Sequence, residues 1–150
     1  MVTASNRTPL TFGWREWVSL PDLGVTAIKA KVDTGARTSA LHASDLQIDG
    51  DWVNFKLHPR HRNAGQTVAC RAEIADRRIV TDSGGHREHR IVIRTRLSVG
   101  TTIWPIEMTL TDRDDMRFRM LIGRTAMKGI ATVDPGRSYL AGRRPKRSAR

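Results

Sequence analysis

Apolar and polar residues alternate with a period of two along most of this chain, the spacing of strands that are half buried. Trp14 to Leu20 reads as one strand, and Pro21-Asp22-Leu23-Gly24 turns it into a second, Val25 to Asp33. Ser39 to Ala43 starts again after a glycine turn. Ile48-Asp49-Gly50-Asp51-Trp52 reads as a tight hairpin, followed by Val53, Phe55 and Leu57 alternating against Asn54 and Lys56. Arg60 to Gln66 is a polar loop. Val68 to Ile74 and Arg77 to Thr81 lead to a glycine-rich tip, Ser83-Gly84-Gly85. In the long run that follows, Ile91, Ile93, Thr95, Leu97 and Val99 fall on one face. Gly100 turns into Thr102 to Leu110, where Pro105 marks an edge or a bulge because it brings no N–H to a ladder. Asp112 to Asp115 is a turn before a strand from Arg117 to Ile122. Arg124 to Lys128, stopped by Gly129, is the helical candidate. Ile130 to Val133 and Ser138 to Leu140 are closing strands around Asp134-Pro135-Gly136. Short strands this closely spaced predict an all-β, closed or partly closed barrel.

The 150 residues suffice for one domain with its own core. The expected organisation is a disordered N-terminus over 1–10, a folded domain over 11–140 and a basic disordered tail over 141–150. No apolar run approaches the length of a membrane span, and the first residues carry no hydrophobic leader, so the expectation is a cytoplasmic protein without membrane contact. Cys70 is the only cysteine, which excludes an internal disulfide and a cysteine-built zinc site. The formal charge is +11, and Arg143, Arg144, Lys146, Arg147 and Arg150 contribute a share of it without any acid nearby. Such a tail suits a ribosome or RNA contact, or serves solubility alone.

Asp33-Thr34-Gly35-Ala36 adds chemistry to this scaffold. It delivers a carboxylate where a strand breaks into a glycine turn. Water attacks a peptide carbonyl when one carboxylate removes its proton while a neighbouring carboxylic acid donates one. Two carboxyls about 3 Å apart cannot both ionise, so one becomes the base and the other the acid. Thr34 can hydrogen-bond across a close contact, and Gly35 permits the turn. A second apolar strand stops at glycine in Met120-Leu121-Ile122-Gly123-Arg124. Asp82-Ser83-Gly84 is too close in sequence to Asp33 to begin a second lobe, and it is read as the tip of a flap hairpin instead. With one convincing aspartate per chain, the expected assembly is a homodimer that sets Asp33 against its mate.

These two elements resemble the paired signature of retropepsin-like aspartic proteases. The stretch Ala30 to Ala43, together with Leu110-Thr111-Asp112-Arg113, Met116, Met120 to Arg124 and Val133-Asp134-Pro135, is similar to a bacterial retropepsin-like family. That family is labelled ATP-dependent zinc protease and is also described as RimK-associated and RimB-like. The likeness covers roughly Gly13 to Leu140. It implies a retropepsin-like, pepsin-like acid-protease barrel, one lobe per chain, with a short helix after the second glycine motif. It implies Asp33 as the catalytic residue, Thr34 and Gly35 as its support, and Ile122-Gly123 as the strand packed beside it. Relatives are linked to the ligase that adds glutamates to ribosomal protein S6. The implied activity is therefore a homodimeric aspartic endopeptidase that trims or removes poly-glutamate tails.

Neither zinc nor ATP is expected as a cofactor, despite the label. No phosphate-cradling Gly-Lys-Ser/Thr loop occurs, and the pairs His58/His61 and His86/His89 lack the spacing of a helical zinc site. His42 reads as structural, and the four tryptophans read as core or dimer contacts. In viral members the Asp-Thr-Gly-Ala element is followed by an acidic residue that pairs with the arginine after the second glycine, whereas here Arg37 stands in that place. Arg37 and Arg124, with Arg90, are therefore candidates to bind substrate glutamates, because guanidinium forks suit carboxylates. Internal neutralisation by Asp112, Asp114 or Asp134 is the alternative. Ala36, Ser83, Gly84, Gly85, Ile122 and Gly123 complete the expected substrate-binding set. Two other functions stay open: a basic module docking ribosomal protein or RNA, and a zinc metallohydrolase.

Overall fold

The computed structural model describes residues 9–59, 67–81, 84–113 and 117–145. The chain runs through β1 (Leu10–Phe12), β2 (Arg15–Leu20), a 3₁₀ turn (Pro21–Leu23), β3 (Val25–Val32), β4 (Ser39–Asp49), β5 (Trp52–Leu57) and β6 (Val68–Thr81). It continues through β7 (Arg87–Val99), β8 (Thr102–Thr111), β9 (Met120–Ile122), α1 (Arg124–Met127) and β10 (Ala131–Val133). The expected all-β architecture and short helix are both present.

Strand pairing closes a ring. β2 pairs with β3, β3 with β9, β9 with β4, β4 with β8, β8 with β7, and β7 returns to β2 through Ser19 and Ser98. β5 and β6 form an outer layer that bridges β4 to β7. The ring leaves few free edges and encloses side chains from every strand. Phe12, Leu20, Ile28, Leu41, Ile93, Leu97, Met108 and Ile122 are all within 1% of full burial. Each such residue contributes on the order of 1.5–3 kcal/mol relative to exposure. The alternation read from the sequence holds along β7, where Ile91, Ile93, Thr95, Leu97 and Val99 all face inward; Val92 is buried as well.

Several boundaries differ from the expectation. Val68 to Thr81 is one strand, because a bulge between Ile74 and Asp76 absorbs the break in its pattern. β4 continues to Asp49 and runs into the Gly50 turn, where φ is +61°. Pro105 sits in unbroken register with Arg96 on the part of β8 that lies before its pairing with β4, so it occupies an edge and no bulge forms. The expected strand Arg117–Ile122 shortens to Met120–Ile122, with bends over 117–119. The expected strand Ser138–Leu140 does not form, since Tyr139 adopts a positive φ of +56° that no ladder tolerates. That segment instead closes as turns over β2. The loop expected over Arg60–Gln66 lies outside the described residues.

A buried glutamate ties both ends of the domain together. Glu16 is 0% exposed and accepts the N–H groups of Gly13, Leu140 and Ala141 at 2.6, 2.8 and 3.0 Å. Leu10 pairs with Ala131, so residues just outside the expected 11–140 boundaries share the hydrogen-bonded body. Beyond Ala141, the Arg144 guanidinium lies 5.0 Å above the Trp17 ring, which stacks on Tyr139. The remaining tail, 146–150, lies outside the described residues. Among the described residues, no helix is long and apolar enough to cross a membrane.

Candidate active site

Asp33 follows the last residue of β3, where inward Ile28, Ala30 and Val32 anchor the strand in the core and bring the carboxylate out at its end. The Val32 N–H donates to Trp14 O at 2.8 Å, and the Asp33 N–H donates to Ile122 O at 2.9 Å, so the aspartate backbone is fixed from both sides. The turn then folds back on the side chain. Gly35 N–H donates to Asp33 Oδ1 at 3.1 Å, and Ala36 N–H to Asp33 O at 3.2 Å. A Cβ at position 35 would meet Asp33 Oδ1 at 3.3 Å, close enough to press on the carboxylate. Asp33 is half buried and Thr34 is exposed, so the carboxylate is held yet open to solvent.

The second glycine motif closes over this turn. Gly123 comes so near the Thr38–Ser39 peptide that a Cβ would lie 2.7 Å from Ser39 N and closer still to the Thr38 carbonyl carbon. Its N–H donates to Ser39 Oγ at 2.9 Å. The first turn of α1 caps the loop in return, as Arg124 N–H donates to Ala36 O at 2.7 Å and Thr125 N–H to Arg37 O at 3.0 Å. Arg124 Nη1 also donates to Thr34 O at 3.1 Å. The structure thus brings Asp33, Thr34, Gly35, Ala36, Arg37, Ile122, Gly123 and Arg124 into one hydrogen-bonded unit.

Arg37 is exposed, and neither it nor Arg124 makes an ion pair among the described residues. Asp134 turns its Oδ1 to the Gly136 N–H at 3.1 Å, while Asp114 lies outside the described residues.

The hairpin read as a flap is present as an arm. β8 pairs with β7 only from Ile91 onward, whereas β6 and β7 stay paired out to Thr81 and Arg87. Gly84 and Gly85 are exposed in the connection, with φ of +85° at Gly85; Ser83 lies outside the described residues. At the arm's base Arg78 and Arg90 stand in register. Arg78 reaches Glu107 Oε1 at 3.1 Å and Thr38 Oγ1 at 3.5 Å, which ties the arm to the loop that follows Asp33. Arg90 is mostly covered, its Nη2 is 3.4 Å from Glu88 Oε2, and its buried Nε has no hydrogen-bond partner. Arg78 had no signal in the sequence, since its importance lies in a contact forty residues away.

His42 is buried in β4, its N–H on Arg119 O and its Nδ1 accepting the Arg113 N–H at 3.1 Å. This hydrogen bonding assigns it a structural part. His58 bonds Ser44 Oγ at 2.7 Å. His61 lies outside the described residues, and among those described no three His, Cys, Asp or Glu side chains converge as a metal site. Cys70 is buried, and burial pushes its thiol up to about 11, far from a nucleophile's range.

Cationic residues also gather in a cavity of about 400 Å³ beside β3, lined by Arg15, Lys29, Lys31, Arg113 and Arg117. The alternation over Ile28-Lys29-Ala30-Lys31-Val32 carried this signal, because it sets both lysines on the outer face.

A closed single-lobe barrel, an Asp-Thr-Gly turn at a strand end and a glycine strand packed across it define the retropepsin-like class. The profile of the RimB-like family, described as "Retropepsin-like aspartic endopeptidase RimB", matches residues 11–144. The chain belongs to this family. It is also 44% identical over 140 residues to a "Probable alpha-L-glutamate ligase" of Desulfotalea psychrophila, covering 91% of this chain and 30% of that protein. A protein of the same name from Shewanella pealeana is 43% identical over 134 residues, covering 87% of this chain and 29% of its own length. The chain therefore spans about 30% of the length of the curated relatives it matches. The crystal structure of a protein of unknown function from Legionella pneumophila shares the fold, with a TM-score of 0.74 at 23% identity over 89% of this chain and 99% of that one.

Proposed function

We propose that this chain is one half of a two-fold aspartic peptidase that cleaves glutamate-rich protein tails. The observation that carries the reading is the Asp33 carboxylate, fixed at a strand end through Ile122 O and the Gly35 N–H; the matching acid is proposed to come from a second subunit. In the proposed reaction the ionised Asp33 of one subunit removes a proton from water as its oxygen bonds the peptide carbonyl carbon. The protonated Asp33 of the partner subunit gives its proton to the carbonyl oxygen, forming a neutral gem-diol. Collapse reforms the carbonyl, breaks the C–N bond and passes a proton to the leaving nitrogen, so atoms and charges balance.

The substrate class rests on two supports. The relatives from Desulfotalea and Shewanella carry the name of an α-L-glutamate ligase, and an enzyme that shortens glutamyl chains belongs beside one that builds them. The surface around the turn is also basic, with Arg37 and Arg124 free of carboxylate partners among the described residues. Ribosomal protein S6 bearing a glutamate tail is the specific substrate proposed.

Incubating native protein with glutamylated and unmodified S6, then weighing the products by mass spectrometry, tests the reading. Native protein shortens the glutamylated form, and Asp33→Asn leaves it intact. Binding without cleavage by the native chain would instead favour a docking module. Cleavage that survives Asp33→Asn but is lost to a chelator would favour a metallohydrolase.

A further inference from the structure

The cavity beside β3 has a composition that calls for an anion. Five of its lining side chains are cationic, namely Arg15, Lys29, Lys31, Arg113 and Arg117; Arg113 is already engaged within the fold, Asp114 and Asp115 lie outside the described residues, and no acid lines the cavity among those described. Trp14 and Phe118, packed edge to face with centroids 5.8 Å apart, supply an apolar wall. Arg15 is held by the Trp14 and Tyr139 rings at 4.5 and 5.0 Å and by Ser138 Oγ at 3.1 Å, so part of the charge is positioned in advance. Like charges gathered in one concavity repel, and an anion that joins them relieves the repulsion. The volume, about 400 Å³, falls among the sizes of small-ligand sites.

Position names the ligand. Ile28, Ala30 and Val32 point inward, which leaves Lys29, Lys31 and Asp33 on the opposite face of one extended segment. Two residues of strand separate Lys31 from Asp33, about 6.6 Å. A peptide residue spans about 3.3 Å when extended, so a chain laid over Asp33 sets side chains one to three residues from the cut bond above this cavity. Leu121 of β9, in register with Lys31, belongs to the same wall.

Resting on the peptidase reading, we infer that this cavity is the subsite that selects the substrate. It takes the carboxylates of consecutive acidic side chains flanking the scissile bond, with Lys31 and Arg117 as specificity-determining residues. Selection then works on a run of acids, since several cations act together. This set is distinct from Arg37, Arg90 and Arg124, which sit on the Asp33 loop, the arm and the first turn of α1.

Fluorescence anisotropy with a fluorescein-labelled hexaglutamate peptide, on the 150-residue chain carrying Asp33→Asn so that nothing is cut, tests this apart from catalysis. Hexaglutamate binds saturably and hexaglutamine does not. Adding Lys31→Glu or Arg117→Glu weakens hexaglutamate by about tenfold or more, the scale of one lost charge-assisted contact. Lys56→Glu, an equal charge change on β5, alters it by less than about twofold. Melting temperatures measured in parallel identify any variant that fails to fold; Lys31→Gln, a milder change, then carries the test with a smaller loss in the same order. Equal weakening by Lys31→Glu and Lys56→Glu overturns the subsite, because net charge alone then binds the peptide. Displacement of hexaglutamate by a single-stranded oligonucleotide at lower concentration than by unlabelled hexaglutamate overturns it in favour of nucleic acid. Intact, Lys31-dependent binding by a native chain that cuts nothing defeats the peptidase reading while the anion subsite stands.

Discussion

Ser39 Oγ accepts the N–H of Gly123 at 2.9 Å while the backbones of the two segments touch with no room for a side chain between them. This contact locks β4, the strand that follows the Asp33 turn, to the end of β9 beside it. Gly123→Ala forces a Cβ into the Thr38–Ser39 peptide, which cannot yield without shifting the turn. We expect a loss of about 3 kcal/mol or more in urea unfolding, or no soluble protein at all.

Ser39→Ala removes the acceptor and leaves a buried N–H without its partner. Its expected cost is about 1–3 kcal/mol, smaller than that of Gly123→Ala because nothing collides. Denaturant midpoints of the two variants, measured side by side, check the order.

Glu16 gathers three backbone N–H groups from both ends of the domain, away from solvent. Glu16→Gln keeps the size but replaces one acceptor oxygen with a donor that faces N–H groups. The expected loss is about 2–3 kcal/mol, and hydrogen exchange at Leu140 and Ala141 should accelerate before that of β7 and β8. Uniform acceleration across the barrel would contradict the clamp.

Cys70 offers a chemical probe. Its thiol is buried, contacts Leu23 O at 3.4 Å, and is pushed up to about 11 by desolvation. Because the folded value lies above the unfolded one near 9.0, folding opposes ionisation, and this site loses stability only as pH rises beyond 9.0. At pH 8 a thiol reagent should therefore label Cys70 at the rate of unfolding. Fast labelling of native protein would contradict the packing around β6.

Much of this architecture was legible in the residues. Alternation along β3 and β7 gave their faces, Gly50 gave a hairpin, and Asp33 with Gly123 gave the paired motif, because each of these signals is local. What stayed hidden depends on contacts distant in sequence. The pairing of β1 with β10 is parallel and long-range, and three-residue strands carry too little pattern to announce it. Ser138 to Leu140 looked apolar enough for a strand, yet the N–H groups of Leu140 and Tyr139 go to Glu16 and to the carbonyl of Arg15. The cationic cavity draws on β2, β3 and the segment before β9, so the alternation of β3 displayed only its two lysines and not the cavity. Asp112 and Asp134 do not pair with Arg37 or Arg124 among the described residues, a point no charge count could decide, and Asp114 lies outside them.

The central claim is that two Asp33 side chains from separate subunits work on one peptide bond. It is tested most directly by mixing native protein with Asp33→Asn in rising proportion, allowing subunits to exchange, and following release of glutamate-containing fragments by mass spectrometry. If both subunits must supply the acid, the rate follows the square of the native fraction, and an equal mixture retains about a quarter of the activity. A rate that falls in simple proportion, leaving about half, would mean that each chain cuts alone.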